Sequence, residues 1–325
     1  MDAPTQARSV PQNRDPLGET LHLLKLEGHI YGQAELTAPW GVDLPPIEDT
    51  LMFHIVRSGR CLLEVGDESV VLERGSMALV PHGRGHVIRS AEGVSTTPLF
   101  DIPVENISER YELMHLGGGG DYTGMLCGVA RFDHVAAERL ITQLPPLLVV
   151  RTWDIDEGSW LNSLLACMAQ ESKQLKPGGE TIITRLADIL VIYMIRTWLD
   201  QQTVEQERGW LAGLRDPQVG AAMAAIQRDP SKPWTLASLA DEVFMSRSAF
   251  AARFTEIVGE PAMRYLTQWR MQIARRRLRE EGMTLAVLSE ELGYASEASF
   301  CRAFKREFGT SPGAARKQAT ERKPA

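Results

Sequence analysis

The chain of 325 residues contains no apolar run that approaches the roughly 18 residues needed to cross a membrane as a helix. Its N-terminal stretch, MDAPTQARSVPQNRDP, has no apolar core of the kind found in a secretory signal peptide. Cysteine is scarce, with four scattered residues and no CxxC pair: Cys61, Cys127, Cys167 and Cys301. These absences argue against a membrane protein and against a disulfide-stabilised secreted protein, so we expect a cytoplasmic location and no membrane partner.

Histidine is missing from the chain beyond His134, so any histidine-based chemistry belongs to the N-terminal part. Charge is also unevenly distributed. From Leu211 to the end, 18 Lys and Arg stand against 13 Asp and Glu, whereas the other 210 residues carry 17 against 29. A basic C-terminal third on a protein of net charge −7 predicts a polyanionic partner.

The N-terminal part reads as a disordered lead, residues 1–14, followed by one folded domain over residues 15–205. Between about Leu21 and Asp133, short β-like runs such as LMFHIVRSG, RCLLEVGDE and SVVLERG are broken by Gly, Pro and Asp. Strands this short and closely spaced predict a sandwich or barrel. The four consecutive glycines at 117–120 predict a loop.

Two helices are predicted after the pair Pro145 and Pro146. EGSWLNSLLACMAQESKQL has apolar residues at helical spacing, and ETIITRLADILVIYMIRTWL is apolar on nearly every side, which exceeds what one neighbour requires. These helices either complete the core of the β domain or form the seam of a homodimer, and both interpretations remain open. The polar segment DQQTVEQERG at 200–209 predicts a linker.

A pattern of about 25 residues occurs twice in the C-terminal third. TLASLADEVFMSRSAFAARFTEIVG at 235–259 matches TLAVLSEELGYASEASFCRAFKREFG at 284–309, first at an offset of 49 residues and then, after one extra residue, at 50. Each copy begins with a threonine suited to cap one helix, and Ser246 or Ser296 is placed to cap a second. Two capped helices joined by a short turn are the helix-turn-helix design, and an αα-hairpin repeat that never touches DNA is the plainer alternative.

Between the two copies, PAMRYLTQWRMQIARRRLREEG predicts one long helix that joins them. With this helix, the motifs LTQWRMQIARRRL, LGYASEASFCRAFKREFG and TSP resemble the C-terminal DNA-binding domain of AraC/XylS-type transcription regulators. The resemblance covers about 211–317 and implies two helix-turn-helix units, for which we assign a domain at 206–317 and a tail at 318–325. It also implies double-stranded DNA as a partner, and RNA polymerase if the protein is an activator.

The residues predicted to read DNA lie opposite the inward-facing phenylalanines of each second helix. On the first such helix they are Arg247, Ser248, Ala251, Ala252 and Arg253. On the second they are Glu297, Ala298, Ser299, Arg302, Lys305 and Arg306. Arg302 is suited to guanine in the major groove, whereas Lys305 and Arg306 are suited to phosphates. Two such helices on a rigid linker would enter successive major grooves about 34 Å apart.

The segment GSMALVPHGRGH places Gly75, Pro81, Gly83 and His86 in the spacing G-x5-P-x-G-x2-H, which is the second motif of cupin barrels. MFHIVRSGRCLLEV resembles a depleted first cupin motif in which His54 is the one obvious ligand. The resemblance implies an α+β fold class, with an N-terminal cupin-like β-barrel and flanking helices before a C-terminal all-α domain. It also implies a sensor of a small molecule or a chemical state.

The histidines of this barrel admit more than one role. Zinc and iron sites take three or more ligands, and His54 and His86 leave such a site incomplete even with His82 or Glu64. We therefore expect no catalytic residue, no cofactor and no bound metal, and we expect His54, His82, His86 and Cys127 to line an effector pocket. Cys127 is either a redox-sensitive thiol or a buried core thiol.

Two functions of different classes remain after these observations. The first is a sequence-specific transcription regulator that acts as a homodimer and responds to an unknown small-molecule effector. The second is a metal-dependent cupin enzyme with an accessory DNA-binding domain. A tightly held iron, manganese or nickel ion per chain would favour the second.

Overall fold

The computed structural model describes residues 15–22, 26–132, 134–151, 158–173, 176–201, 208–278 and 283–321. The predicted disordered lead, 1–14, lies outside the described residues, as do 202–207 of the predicted linker. Contacts divide the chain into two compact units. We call Leu23–Thr203 the barrel unit, and Met1–His22 together with Val204–Ala325 the helical unit. The α+β class predicted from the sequence is confirmed, with a β-rich unit and a separate helical one.

The barrel unit consists of two sheets that face one another across a shared core. Its strands are β1 (Leu26–Thr37), β2 (Gly41–Leu44), β3 (Leu51–Ser58), β4 (Arg60–Val65), β5 (Glu68–Glu73), β6 (Ser76–Val80), β7 (His86–Arg89), β8 (Thr97–Pro98), β9 (Val104–Asn106), β10 (Tyr111–Gly117), β11 (Tyr122–Phe132) and β12 (Leu148–Arg151). One sheet has the order β12-β6-β3-β11-β1-β10-β9, and the other has the order β5-β4-β7-β2-β8. The short strands predicted from the sequence are therefore confirmed.

The described residues of the barrel unit also form three α-helices: α2 (Val135–Ile141), α3 (Gly158–Lys173) and α4 (Gly179–Gln201). Helix α4 contacts β1 and β12 of the larger sheet. Strand β3 runs through the middle of that sheet, and its first six residues are all buried. Because successive side chains of a strand point to opposite faces, Met52, His54 and Val56 line the interior between the sheets, while the intervening residues lie on the outer face of the sheet.

The helical unit is built from nine described helices. They are α1 (Pro16–His22), α5 (Trp210–Arg215), α6 (Pro217–Arg228), α7 (Leu236–Glu242), α8 (Arg247–Val258), α9 (Ala262–Arg277), α10 (Leu285–Glu291), α11 (Glu297–Phe308) and α12 (Pro312–Glu321). Helix α12 continues into the predicted tail as far as Glu321, and 322–325 lie outside the described residues. Within the described ranges, no helix combines the length and apolar character required to span a membrane.

Helix α1 precedes the first strand of the barrel unit but packs on α5 and α6 of the helical unit. Arg228 donates two hydrogen bonds to the carboxylate of Glu19, at 2.9 and 3.0 Å, and Thr20 is fully buried. We predicted an N-terminal domain that begins at residue 15, and these bounds stay a prediction, but in the structure α1 contacts the helices. The difference arises because an ion pair spanning 209 residues of sequence leaves no local pattern.

The four predicted helix caps of the repeat are confirmed. In each cap, the side-chain oxygen accepts a hydrogen bond from the backbone N–H three residues further on, as expected for a serine or threonine cap: Thr235, Ser246, Thr284 and Ser296. The second helix of each copy, α8 or α11, then ends at a glycine with left-handed backbone, Gly259 or Gly309, at φ values of 85° and 72°. The same signals therefore begin and end both copies.

Helix α9 belongs to the cores of both copies. Near its N-terminus the Tyr265 ring lies 5.8 Å from the ring of Phe254, and both side chains are buried. Near its C-terminus, Met271 and Ala274 pack into the cluster that contains Phe300 and Phe304. Because one continuous helix contributes to two cores, the orientation of one helix-turn-helix relative to the other is fixed by packing rather than by a flexible linker.

Candidate nucleic-acid interface and barrel interior

Helix α11 presents a polar, cationic face opposite its buried phenylalanines. Phe300 and Phe304 are fully buried, whereas Arg302, Lys305 and Arg306 are exposed. Within the described ranges, no hydrogen bond or ion pair engages Arg302 or Lys305. These cations are therefore available to a ligand without breaking a contact in the protein.

The polar residues at the start of α11 divide into two groups. Glu297 and Ala298 are exposed, as predicted for a reading face. Ser299 is half-buried, and its hydroxyl donates to the carbonyl oxygen of Ser296 at 2.7 Å. Ser299 therefore serves the first turn of the helix in this structure, and any contact with a ligand would compete with that bond.

Helix α8 presents a face of small residues, as predicted. Arg247, Ser248 and Ala252 are exposed, and Ala251 is half-buried. Arg253, which we predicted beside them, forms an ion pair with Asp216 at 2.6 Å. Within α8, Arg247 is thus the cation for which the described residues provide no ion-pair partner.

Asp216 explains why Arg253 is held. Its side chain caps α6 by accepting hydrogen bonds from the backbone N–H groups of Gln218 and Val219, at 3.0 and 2.8 Å. Burial alone would raise the pKa of Asp216, but the hydrogen bond from Arg253 and those from the backbone lower it below its usual value. The charged carboxylate therefore ties α8 to the start of α6, a role for Arg253 that its position on a helical wheel does not suggest.

The arginines at the end of α9 are largely engaged inside the protein. Arg277 forms an ion pair with Glu291 of α10, and the guanidinium of Arg275 lies over the ring of Phe308 at 5.2 Å. The basic run at 275–277 is therefore, at Arg277, an ion-paired helix face.

Arg270 is a structural residue that sequence reasoning missed. Its guanidinium donates hydrogen bonds to the carbonyl oxygens of Pro230 and Lys232, at 2.7 and 2.9 Å. The turn of the second helix-turn-helix reaches the same loop, because the α-carbon of Gly293 lies against the carbonyl oxygen of Ser231. One loop thus contacts both α9 and the second copy. The acceptors are backbone atoms, so no side-chain motif reveals them.

Three of the four predicted effector residues lie together in the barrel interior. Cys127 pairs with His54 across β11 and β3, and the thiol sulfur lies 3.1 Å from Nδ1 of His54. Nε2 of His54 lies 2.7 Å from Nε2 of His86, whose Nδ1 donates to the carbonyl oxygen of Arg84 at 3.1 Å. We call Cys127, His54 and His86 the interior chain. His82 is separate, because its Nε2 donates to the carbonyl oxygen of Leu144 at 3.0 Å.

Burial keeps the interior chain uncharged. It lowers the pKa of His54 well below the usual value, with a further contribution from neighbouring His86, and it also lowers the pKa of His86. Burial raises the pKa of Cys127 to about 12, so this group is a thiol rather than a reactive thiolate at neutral pH. Of the two interpretations of Cys127, these surroundings favour the buried thiol.

The interior chain does not have the geometry of a cupin metal site. Two imidazole nitrogens that share a tetrahedral metal are about 3.3 Å apart, given metal–nitrogen bonds of about 2.05 Å. The 2.7 Å separation in this structure is that of a hydrogen bond. Among the described residues, no group of three or more His, Cys, Asp or Glu is arranged to hold a metal ion.

An open cleft of about 970 Å³ lies elsewhere on the barrel unit. Its lining includes Arg60, Glu73, Arg74, Asp121 and Tyr122, and none of the four predicted effector residues contributes to it. Close to the interior chain, apolar side chains from both sheets pack against one another. The two histidines of the interior chain are therefore buried residues that lie apart from this cleft.

Known proteins match both parts of the chain. A family model described as "Cupin" matches residues 15–200, and one described as "Helix-turn-helix domain" matches residues 239–318. A protein of Streptomyces lividans whose name includes "AraC-like transcription regulator" is 35% identical over 94% of this chain and 99% of its own length. The HTH-type transcriptional regulator AlkR of Acinetobacter baylyi is 30% identical over 90% of this chain and 95% of its own.

Among solved structures, the DNA-binding domain of AdpA in complex with a target DNA is similar to part of the chain. It is 26% identical with a TM-score of 0.32, and the match covers 34% of this chain and 97% of that one.

Proposed function

Because the chain belongs to the AraC family of transcription regulators and carries a cupin domain, we propose that α8 and α11 read a specific duplex sequence and that the barrel unit controls this binding. The observation that carries the proposal is the pair of identically capped recognition helices joined through one shared helix, α9. A rigid pair of this kind recognises two successive major grooves, which lie about 34 Å apart.

The two recognition helices have different roles in this proposal. On α11, Arg302 hydrogen-bonds a guanine edge, while Lys305 and Arg306 contact phosphates. On α8, small exposed residues such as Ser248 and Ala252 permit close approach to the groove, and Arg247 is the available cation. Specific hydrogen bonds are therefore concentrated in the half-site that α11 reads.

A selection from random duplexes tests this proposal. The full-length protein is incubated with the duplex pool at about 150 mM salt, and the retained sequences are read. We expect one consensus with two conserved blocks separated by about one helical turn, or 10 base pairs. Retained sequences without any consensus would contradict the proposal.

For the barrel unit, we propose a sensory rather than a catalytic role. The support is the hydrogen-bonded chain Cys127–His54–His86, whose two histidines are buried beside a largely apolar core, since buried polar groups are costly and are commonly retained for function. A small molecule or chemical change that alters this chain would change the packing of both sheets. A metal-dependent enzyme is not favoured, because the two histidines hydrogen-bond to one another. The regulator acts in the cytoplasm, with RNA polymerase as a further partner if it activates transcription.

We also propose that α4 forms the seam of a homodimer. Ile182 and Ile189 are 43% and 45% exposed, and half-buried Leu186 and Tyr193 continue the same stripe. Residues at this four-and-three spacing lie along one face, as in the contact stripe of a coiled coil. One face of α4 completes the barrel core, and we propose that the stripe on its other face packs against a second copy.

Replacing Ile189 by glutamate is expected to convert the dimer into a monomer, because a charge would be buried in the seam. Light scattering on the full-length protein at tens of micromolar measures the mass directly. Gln201→Glu is the control, since this exposed residue lies off the stripe on the same helix. A wild-type protein that is monomeric at this concentration would refute the seam.

A further inference from the structure

The turn of the first helix-turn-helix carries an unusual residue, Phe244. Its side chain is 97% exposed, and its backbone has a left-handed φ of 57°. In the second copy, at the offset of 49 residues, the equivalent residue is Gly293, with a similar φ of 72°. The two turns therefore use the same backbone conformation, but one does so with a large aromatic residue.

Nothing in the described structure requires phenylalanine at this place. The left-handed conformation is unfavourable for a residue with a β-carbon and natural for glycine. Glycine at 293 is required in addition by the nearby carbonyl oxygen of Ser231. At 244 the side chain projects into solvent, so it gains no packing in return for its conformation. A residue that is both strained and exposed is a candidate for function.

The position of Phe244 relative to α8 indicates what it contacts. It lies two residues before the cap Ser246 and three before Arg247, so its α-carbon is within about 11 Å of that of Arg247. The N-terminal residues of a recognition helix are those that contact base edges in the major groove. A side chain projecting from the turn directly before them is therefore close to the duplex whenever α8 is docked.

We propose that Phe244 is an additional DNA-contacting residue, whose ring packs against apolar surface of the duplex beside the half-site that α8 reads. That surface consists of thymine methyl groups and deoxyribose carbons. The contact supplements a helix whose predicted reading face offers small residues and one available cation, Arg247, because Arg253 is paired with Asp216. This inference rests on the proposed function, because it requires that α8 docks in a groove.

The test compares full-length wild type with Phe244→Gly and Phe244→Leu on the selected duplex. We expect Phe244→Gly to weaken specific binding about tenfold, and Phe244→Leu to weaken it less, because an apolar side chain remains. The dependence of affinity on salt should not change, since an apolar contact releases no counterion. The thermal midpoint of Phe244→Gly should equal or exceed that of wild type, because glycine relieves the left-handed backbone.

The matched control is Met263→Ala, which removes another partly exposed apolar side chain, on α9, and should leave affinity unchanged. Duplexes with uracil in place of thymine in the α8 half-site then identify the contacted group. If wild type loses affinity for uracil duplexes and Phe244→Gly does not, the ring contacts methyl groups. If both proteins respond equally, it contacts deoxyribose.

The outcomes separate this inference from the proposed function. A wild type that selects no sequence contradicts the proposed function itself. A wild type that selects a sequence, with Phe244→Gly binding equally well, overturns the role of Phe244 alone. If Phe244→Gly bound DNA normally but gave a reduced transcriptional response, the ring would contact a protein partner instead. If Phe244→Gly bound DNA more weakly and also had a lower thermal midpoint, the ring would stabilise the fold. Either result overturns the DNA contact.

Discussion

Replacing Arg302 by alanine is expected to cost about 1–3 kcal/mol of specific binding free energy and to relax the preference at one base pair. The side chain is exposed on α11, opposite the buried Phe300 and Phe304. A guanidinium in that place can pair with O6 and N7 of guanine, and its loss leaves those acceptors without a protein donor. The measurement is affinity for duplexes in which each base pair of the selected site is varied in turn.

Lys305→Ala is the matched control, three residues further along the same helix. Its ammonium is expected to contact a phosphate, so the variant should bind all sequences more weakly by a similar factor. The slope of log affinity against log salt concentration should fall by about one. Both variants should keep the wild-type thermal midpoint, because neither side chain enters the core. If Lys305→Ala altered the base preference while Arg302→Ala did not, the predicted rotation of α11 in the groove would be wrong.

Gly293→Ala is expected to destabilise the helical unit by about 2–4 kcal/mol. Its φ of 72° is unfavourable for alanine, and a β-carbon there would collide with the carbonyl oxygen of Ser231. The collision would displace the loop that also accepts hydrogen bonds from Arg270, so the contact between this loop and α9 would be disturbed as well. Urea unfolding monitored by circular dichroism measures the free energy.

Gly309→Ala provides the comparison, because it has the same φ of 72° with no atom near the added β-carbon. Gly309→Ala should lower the free energy of unfolding by only about 1 kcal/mol, which is the cost of placing alanine in the left-handed backbone conformation without a collision. If both variants lost the same free energy of unfolding, the loop at Ser231 would be able to move away from the added β-carbon at no cost. That loop would then not fix the turn of the second copy.

The parts of the structure that could be predicted from the sequence depend on local signals. Ser246 and Ser296 cap helices that begin at the next residue. The buried positions of Phe250 and Phe300 follow from the apolar spacing within those same helices. The strand β3 likewise follows from the short apolar run formed by its own residues. Such features need no knowledge of the rest of the fold.

The features that could not be predicted depend on residues distant in sequence. Arg253 was placed on the reading face from helical spacing, but its partner Asp216 is 37 residues away. His54, His86 and Cys127 were predicted to line a pocket, which stays a prediction, and their contacts join residues 32 and 73 positions apart in the sequence. Helix spacing and motif matching identify which residues share a face. Which distant residues contact that face is decided by the packing of the whole fold.

The most direct test of sequence-specific regulation is the ratio of two affinities, for the selected duplex and for a scrambled duplex of equal length and composition. Both affinities are measured with full-length protein at about 150 mM salt. The electrostatic attraction to phosphates is similar for the two duplexes, so it cancels in the ratio and leaves the sequence preference. The proposal predicts that the selected duplex binds at least about 1,000-fold more tightly. A ratio near one would show that the two helix-turn-helix units bind DNA only as a polyanion, and would contradict the proposal.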